Sequence, residues 1–205
     1  MHLKRVLLII IDLGGYARFG QFRAITLVHA EEILSALIES VLDKVELPLK
    51  IAKLEGNAVV FLYAEVSPHE EQKTAINLLD QVEAMYKQVE SETQALRSAR
   101  SHCECEACQT LNEFDFKVFL HVGEVAIKQI RQFTELAGED VILIHRLVKN
   151  TIPARKYCAM TPQFEARIGS HPMKPIERHS VSIADFGDVP LGVVYPTNGE
   201  RNVTE

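Results

Sequence analysis

Three groups of residues in this chain have types and spacings that could do chemistry. Cys103, Cys105 and Cys108 form a C-x-C-x₂-C run directly after His102. Three thiolates and one imidazole match the ligand count of tetrahedral zinc. Adjacent His102 and Cys103 rarely both reach one ion, so Cys158 or a histidine from a neighbouring chain could complete the set. The competing reading is a flexible, reduced loop. Asp12 ends an apolar run beside Gly14 and Gly15, where missing side chains let backbone amides approach an anion. Lys53 lies in the first arm of a hairpin whose turn is Gly56-Asn57. Alternation places Ile51, Lys53 and Glu55 on one face of that arm. A lysine there either snorkels to water or meets a ligand.

The elements that must position these groups follow from the apolar pattern. Val6 to Leu13 reads as a strand buried on both faces. Ile33, Leu37, Val41 and Val45, with Leu34, Ile38 and Leu42 alongside, predict an amphipathic helix over about 30–44. The central hairpin follows. Ser67-Pro68-His69-Glu70 carries a capping-box signature and opens a helix to about Ala99, with Ile76, Leu79, Val82, Met85 and Val89 inward. A second hairpin is expected from Phe116 to Ile130 with Gly123-Glu124 as its turn, then a loop over 132–137. A helix after Gly138 carries Val141, Ile144, Leu147 and Val148. A strand at Tyr157 to Met160, a short helix from Thr161-Pro162, and a hairpin of Ser180–Ala184 with Leu191–Tyr195 complete the chain. This order predicts an α+β, ferredoxin-like βαββαβ sandwich with additions.

Whole-chain properties bound the function. The 205 residues are 47% apolar and 24% charged, with a net charge of −6. That is the composition of a globule with an ample core. It argues against a nucleic-acid binder, which would show a basic face, although a basic pocket for one nucleotide is compatible with it. No apolar run approaches membrane-spanning length, so a cytoplasmic chain with reduced cysteines is expected. The expected organisation is one domain over 1–196 and a polar tail over 197–205. Within the domain, the core covers about 5–160, a cysteine-containing insertion about 101–112, and a C-terminal hairpin arm about 170–196.

Four strings in this order resemble the catalytic domain of class III nucleotide cyclases, the adenylate and guanylate cyclases. They are Ile11-Asp12-Leu13-Gly14-Gly15-Tyr16, Lys53-Leu54-Glu55-Gly56-Asn57-Ala58, His121-Val122-Gly123-Glu124, and Gly138-Glu139-Asp140-Val141-Ile142-Leu143-Ile144-His145-Arg146-Leu147. The chain also resembles, more closely still, an uncharacterised cyclase-like bacterial family.

The resemblance carries expectations residue by residue. Asp12 matches the first of two aspartates that hold divalent cations, Mg2+ or Mn2+. Asn57 stands where the second would be, and its neutral amide supplies no charge to a dication. Lys53 matches a purine-reading lysine, and Glu135 falls where its acidic or polar partner sits. Gly14, Gly15 and Tyr16 would cradle phosphates through the backbone. Ile142 replaces a ribose-orienting asparagine and has no polar group. Arg146 matches the transition-state arginine. Without the resemblance, Asp12 is a strand-end carboxylate, Glu135 a loop charge and Arg146 a surface helix residue, while His121 and His145 read as structural or surface positions. The resemblance thus implies a degenerate cyclase-like module, an isologous homodimer that binds ATP or GTP weakly or not at all, or acts as a regulatory module, with little or no cyclase turnover. The alternatives are an active cyclase with an altered metal site, in which Glu55 or Glu124 aids Asp12, and a metal- or redox-sensing module built on the cysteine loop.

Overall fold

The computed structural model describes residues 2–14, 24–56, 58–169, 171–173 and 177–196. The elements are β1 (His2–Asp12), α1 (Ala24–Leu42), β2 (Lys50–Glu55), β3 (Val59–Glu65), α2 (Glu71–Ala99), α3 (Glu106–Gln109), β4 (Phe116–Ile130), β5 (Phe133–Ala137), α4 (Glu139–Leu147), β6 (Lys156–Met160), α5 (Pro162–Ile168), β7 (Glu177–Ile183) and β8 (Gly187–Val194). Eight strands form one sheet in the order β2-β3-β1-β4-β6-β8-β7, with β5 paired to β4. The run β2-β3-β1-β4 is antiparallel throughout and reproduces the expected ferredoxin-like strand order. β6 adds to β4 in parallel, and β8 then β7 extend the sheet in antiparallel pairs. The C-terminal hairpin is therefore built into the sheet through β8 and β6.

β1 explains why its sequence is apolar without alternation. Leu7, Ile9 and Ile11 face a core built with α1 and α2, while Val6, Leu8 and Ile10 face a second core built with α4. All six are fully buried, as expected of a strand covered on both sides. On α1, Ile33, Leu34, Leu37 and Val41 are buried, and Ile38, Leu42 and Val45 pack at the edge of the same core. α1 starts earlier than its strongest periodicity indicates, at Ala24.

Several local expectations need correction. Gly123-Glu124 is not a turn. β4 runs straight through it, with Gly123 opposite Val6 in the β1 ladder. The chain reverses at Arg131-Gln132 instead, and the expected loop over 132–137 contains β5. Gly123 is needed because a Cβ there would lie 2.3 Å from the Asp140 carboxylate. Ser67 to Glu70 form a turn before α2 rather than its first residues. The Ser67 hydroxyl donates to the Glu70 carboxylate at 2.6 Å, and the Glu70 and Glu71 N–H groups donate to the Ser67 main-chain carbonyl. Ile76 is only partly buried. In β2, a register shift between Ile51 and Lys53 sets Ile51 opposite Leu62 but Lys53 opposite Phe61. This breaks the expected face shared by Ile51 and Lys53.

Candidate functional site

A groove of about 890 Å3 opens between β2, β5 and α4, floored by Phe61 of β3. It gathers Lys53 with Glu135, Ile142 and Arg146, which follow it by more than eighty residues, and adds Glu55 and His145. The register shift in β2 is what turns Lys53 onto the Phe61 face. Its ammonium lies 3.2 Å from Glu55 Oε1 and remains exposed. Glu135 sits in β5 opposite Lys128. Ile142 and Arg146 are one helical turn apart on α4, so both reach the same side.

His145 is the groove residue that sequence reasoning passed over. Its Nδ1 donates to the Val141 carbonyl at 2.7 Å, Nε2 lies 3.4 Å from Glu55 Oε1, and the ring meets Phe61 edge-on at 4.7 Å. Its place directly before Arg146 on a short helix was the available signal.

Two side chains at positions the resemblance singles out line the groove side by side. Ile142 is half exposed and offers only hydrocarbon. Arg146 is held by the turn between β7 and β8. Its Nη1 lies 2.7 Å from Asp185 Oδ2 and donates to the Ala184 carbonyl, and its guanidinium stands 5.8 Å from the Phe186 ring centre.

α4 is positioned by two of the sequence strings acting on each other. His121 is buried in β4. Its Nε2 donates to Asp140 Oδ1 at 2.9 Å, which leaves Nδ1 to accept the Thr161 hydroxyl at 2.8 Å. Asp140 Oδ2 accepts the Glu124 N–H at 2.7 Å. Burial opposes ionisation of Asp140, but the His121 and Glu124 hydrogen bonds outweigh it and hold the carboxyl below its ordinary value. Gly138, at φ 148°, packs against the Glu124 carbonyl. These residues orient α4, and with it Ile142 and Arg146.

Asp12 does not line the groove. It ends β1 between Val59 and Lys117. Burial raises its pKa, Asp115 adds to the rise, and Lys117 opposes it. Lys117 Nζ is 3.1 Å from Asp115 Oδ2, and the Gly14 carbonyl accepts the Asp115 N–H at 2.7 Å. The resemblance implies a pair of divalent cations. Among the described residues here Asp12 and Asp115 offer carboxylates, and Lys117 already pairs with Asp115, so these donors suit one ion better than a pair. Gly15, Tyr16 and Asn57 lie outside the described residues.

The cysteine run is ordered by a residue the spacing did not reveal. His29 of α1 places Nδ1 at 3.3, 3.4 and 3.5 Å from the sulfurs of Cys103, Cys105 and Cys108. This His/Cys3 group could hold a metal ion. His102 is exposed beside it. Cys158 is elsewhere, fully buried in β6, where burial pushes its thiol well up.

Among the described residues, no helix is long and apolar enough to cross a membrane. The adenylyl cyclase CyaB from P. aeruginosa is similar in structure, with a TM-score of 0.64 at 14% identity over 100% of this chain and 98% of that one. The guanylyl cyclase Cya2 is similar with a TM-score of 0.61 at 12% identity, covering 99% and 98%. The fold is thus that of class III cyclase domains. In sequence, the chain is 33% identical over 128 residues to the uncharacterized protein Rv2561/Rv2562 of Mycobacterium tuberculosis. That match spans 62% of this chain and 57% of the length of that protein. Residues 34–157 match the family described as "Protein of unknown function (DUF2652)", so a chain with the architecture of a nucleotide cyclase belongs to that family.

Proposed function

We propose that this chain is a cyclase-like homodimeric module that binds a purine nucleoside triphosphate, ATP or GTP, in the groove between β2, β5 and α4, with little or no turnover. The observation that carries the reading is the engagement of Arg146 by Asp185 and the Ala184 carbonyl. A guanidinium stabilises developing phosphate charge only if its fork is free to meet it. Here Nη1 of that fork already serves a carboxylate and a carbonyl of the same chain. Ile142, facing the same groove, cannot orient a ribose hydroxyl.

Binding needs less than turnover does. Lys53 supplies a donor and Glu135 an acceptor to the polar edge of a purine, with Phe61 and Ile142 against its faces. A single divalent ion arriving with the phosphates would be held by Asp12, with Gly14, Gly15 and Tyr16 offering backbone groups to the phosphates. Because Asp12 lies away from the groove, one copy of the chain leaves the ligand set divided. A second copy related by a two-fold axis brings the Asp12 end of one to the groove of the other. Exposed Ile51, Leu54, Ile130, Phe133 and Ile142 lie in or next to the groove elements. Such an apolar rim is the kind of surface that association covers.

Titration calorimetry with ATP and GTP, paired with a cyclic-nucleotide assay in Mn2+, tests the proposal. Binding of either nucleotide that Lys53→Ala weakens about tenfold, without product, supports it. Product formed at ordinary enzyme rates identifies an active cyclase and overturns it. So does a monomer that binds neither nucleotide.

A further inference from the structure

We propose that His29, Cys103, Cys105 and Cys108 are the four ligands of a structural zinc ion that pins α1 to the connection between α2 and β4. The inference does not depend on the nucleotide reading.

The distances carry it. One imidazole nitrogen has a single proton or a single lone pair, so it can satisfy one sulfur. Here three sulfurs surround the same Nδ1 at 3.3, 3.4 and 3.5 Å. The four donor atoms lie within 4.8 Å of one another. In tetrahedral zinc, bonds of about 2.0 Å to nitrogen and about 2.3 Å to sulfur place those atoms roughly 3.5 Å apart. All four cysteines are free, so no disulfide competes for the sulfurs.

The surroundings support the same ion. The loop is shaped by its own main chain. The Cys103 N–H donates to the Arg100 carbonyl at 2.9 Å, the Cys108 and Gln109 N–H groups both donate to the Cys105 carbonyl at 3.1 Å, and Gln109 Nε2 donates to the Cys103 carbonyl at 2.7 Å. Zinc with three thiolates and a neutral imidazole carries a net charge of about −1. Arg100 offsets it. Its guanidinium bonds Glu32, one turn beyond His29 on α1, at 2.7 Å, and Cys108 is among the groups that raise its pKa. Three soft sulfurs select zinc over magnesium or manganese. Four protein ligands leave no open position, which marks a structural and not a catalytic centre.

The ion would close a loop of 74 residues between His29 and Cys103, so its affinity adds directly to folding. α1 begins at Ala24, so the clamp at His29 fixes the N-terminal part of that helix.

The test uses the full chain purified without chelator. Elemental analysis should find one zinc per chain, and a chelator should lower Tm reversibly. Cobalt substitution should give the intense visible bands of a tetrahedral thiolate site. His29→Cys should keep the metal and shift those bands to lower energy, whereas His29→Ala should weaken zinc binding at least about tenfold. His102→Ala and Cys158→Ser should leave metal content and cobalt spectrum unchanged. A zinc-free chain that gives no cobalt spectrum overturns the proposal. Iron with acid-labile sulfide also overturns it, as does a spectrum indifferent to His29 or abolished by His102→Ala.

Discussion

Arg146 Nη1 lies 2.7 Å from Asp185 Oδ2, joining α4 to the turn between β7 and β8. The pair is exposed, with side-chain accessibilities of 39% and 78%, so its removal costs the fold little, under about 1 kcal/mol. Its weight falls on the groove. Asp185→Asn, which keeps a residue tolerant of the φ of 70° at that position, should leave Tm nearly unchanged and strengthen ATP or GTP binding by roughly 2–5-fold in calorimetry, since a cation without its counter-charge adds a modest Coulomb term at an exposed site. An unchanged affinity would show that Arg146 contributes nothing to the ligand.

Gly123→Ala should be strongly destabilising, by roughly 2–3 kcal/mol, because its Cβ would meet the Asp140 carboxylate at 2.3 Å. The same substitution placed in an Asp140→Gly background should cost far less, because the Asp140 Cβ alone would lie 2.6 Å from the added methyl. Denaturant melts of the four members of that cycle measure the coupling. Equal costs in both backgrounds would mean that the glycine serves something other than Asp140.

The same carboxylate sets a pH dependence. Asp140 has a folded pKa below its ordinary value of 3.8. Its contribution is therefore complete above that ordinary value and is lost as pH falls through the lower folded value. Melting temperatures of the wild type and Asp140→Asn should differ most at neutral pH and converge in strong acid.

Asp12 works in the opposite sense. Its folded pKa is raised, with burial the first cause. The folded chain then binds more protons than the unfolded one between 3.8 and the raised value, so stability falls as pH rises through that window. Asp12→Asn should raise Tm at neutral pH, with the advantage disappearing toward acid. A lower Tm at neutral pH would show that the charge is stabilised by something beyond Lys117.

Phe133→Glu and Ile142→Arg alter side chains that are 59% and 50% exposed. Each should leave the monomer folded and weaken self-association at least about tenfold in sedimentation equilibrium, because a desolvated charge at an apolar interface is costly. Association indifferent to both would place the interface elsewhere.

Element types were largely legible because burial imposes periodicity. β1 is covered on both faces and reads as an unbroken apolar run, while α1 and α2 are covered on one and read as stripes. Long-range geometry was not legible. His29 joins the three cysteines across 74 residues, and nothing in the spacing of a lone histidine on an apolar helix announces that. Gly123 was ambiguous for a different reason: glycine serves a turn and a close approach equally well, and only the position of Asp140 separates them. Lys53 was assigned a face by strict alternation, which the register shift beside it does not obey. Lys53, Ile142 and Arg146 share one groove because the strings that carry them lie on a hairpin and a helix that the sequence pattern indicated, whereas Glu135 reaches it from β5, which the pattern read as a loop.

The irregularity in β2 also guards a margin of the sheet. Among the described residues β2 pairs with β3 alone, and an even, apolar strand in that place would invite further chains to add on without limit. Its shifted register and the ammonium groups of Lys50 and Lys53 interrupt that template. The edge is thereby guarded against open-ended stacking.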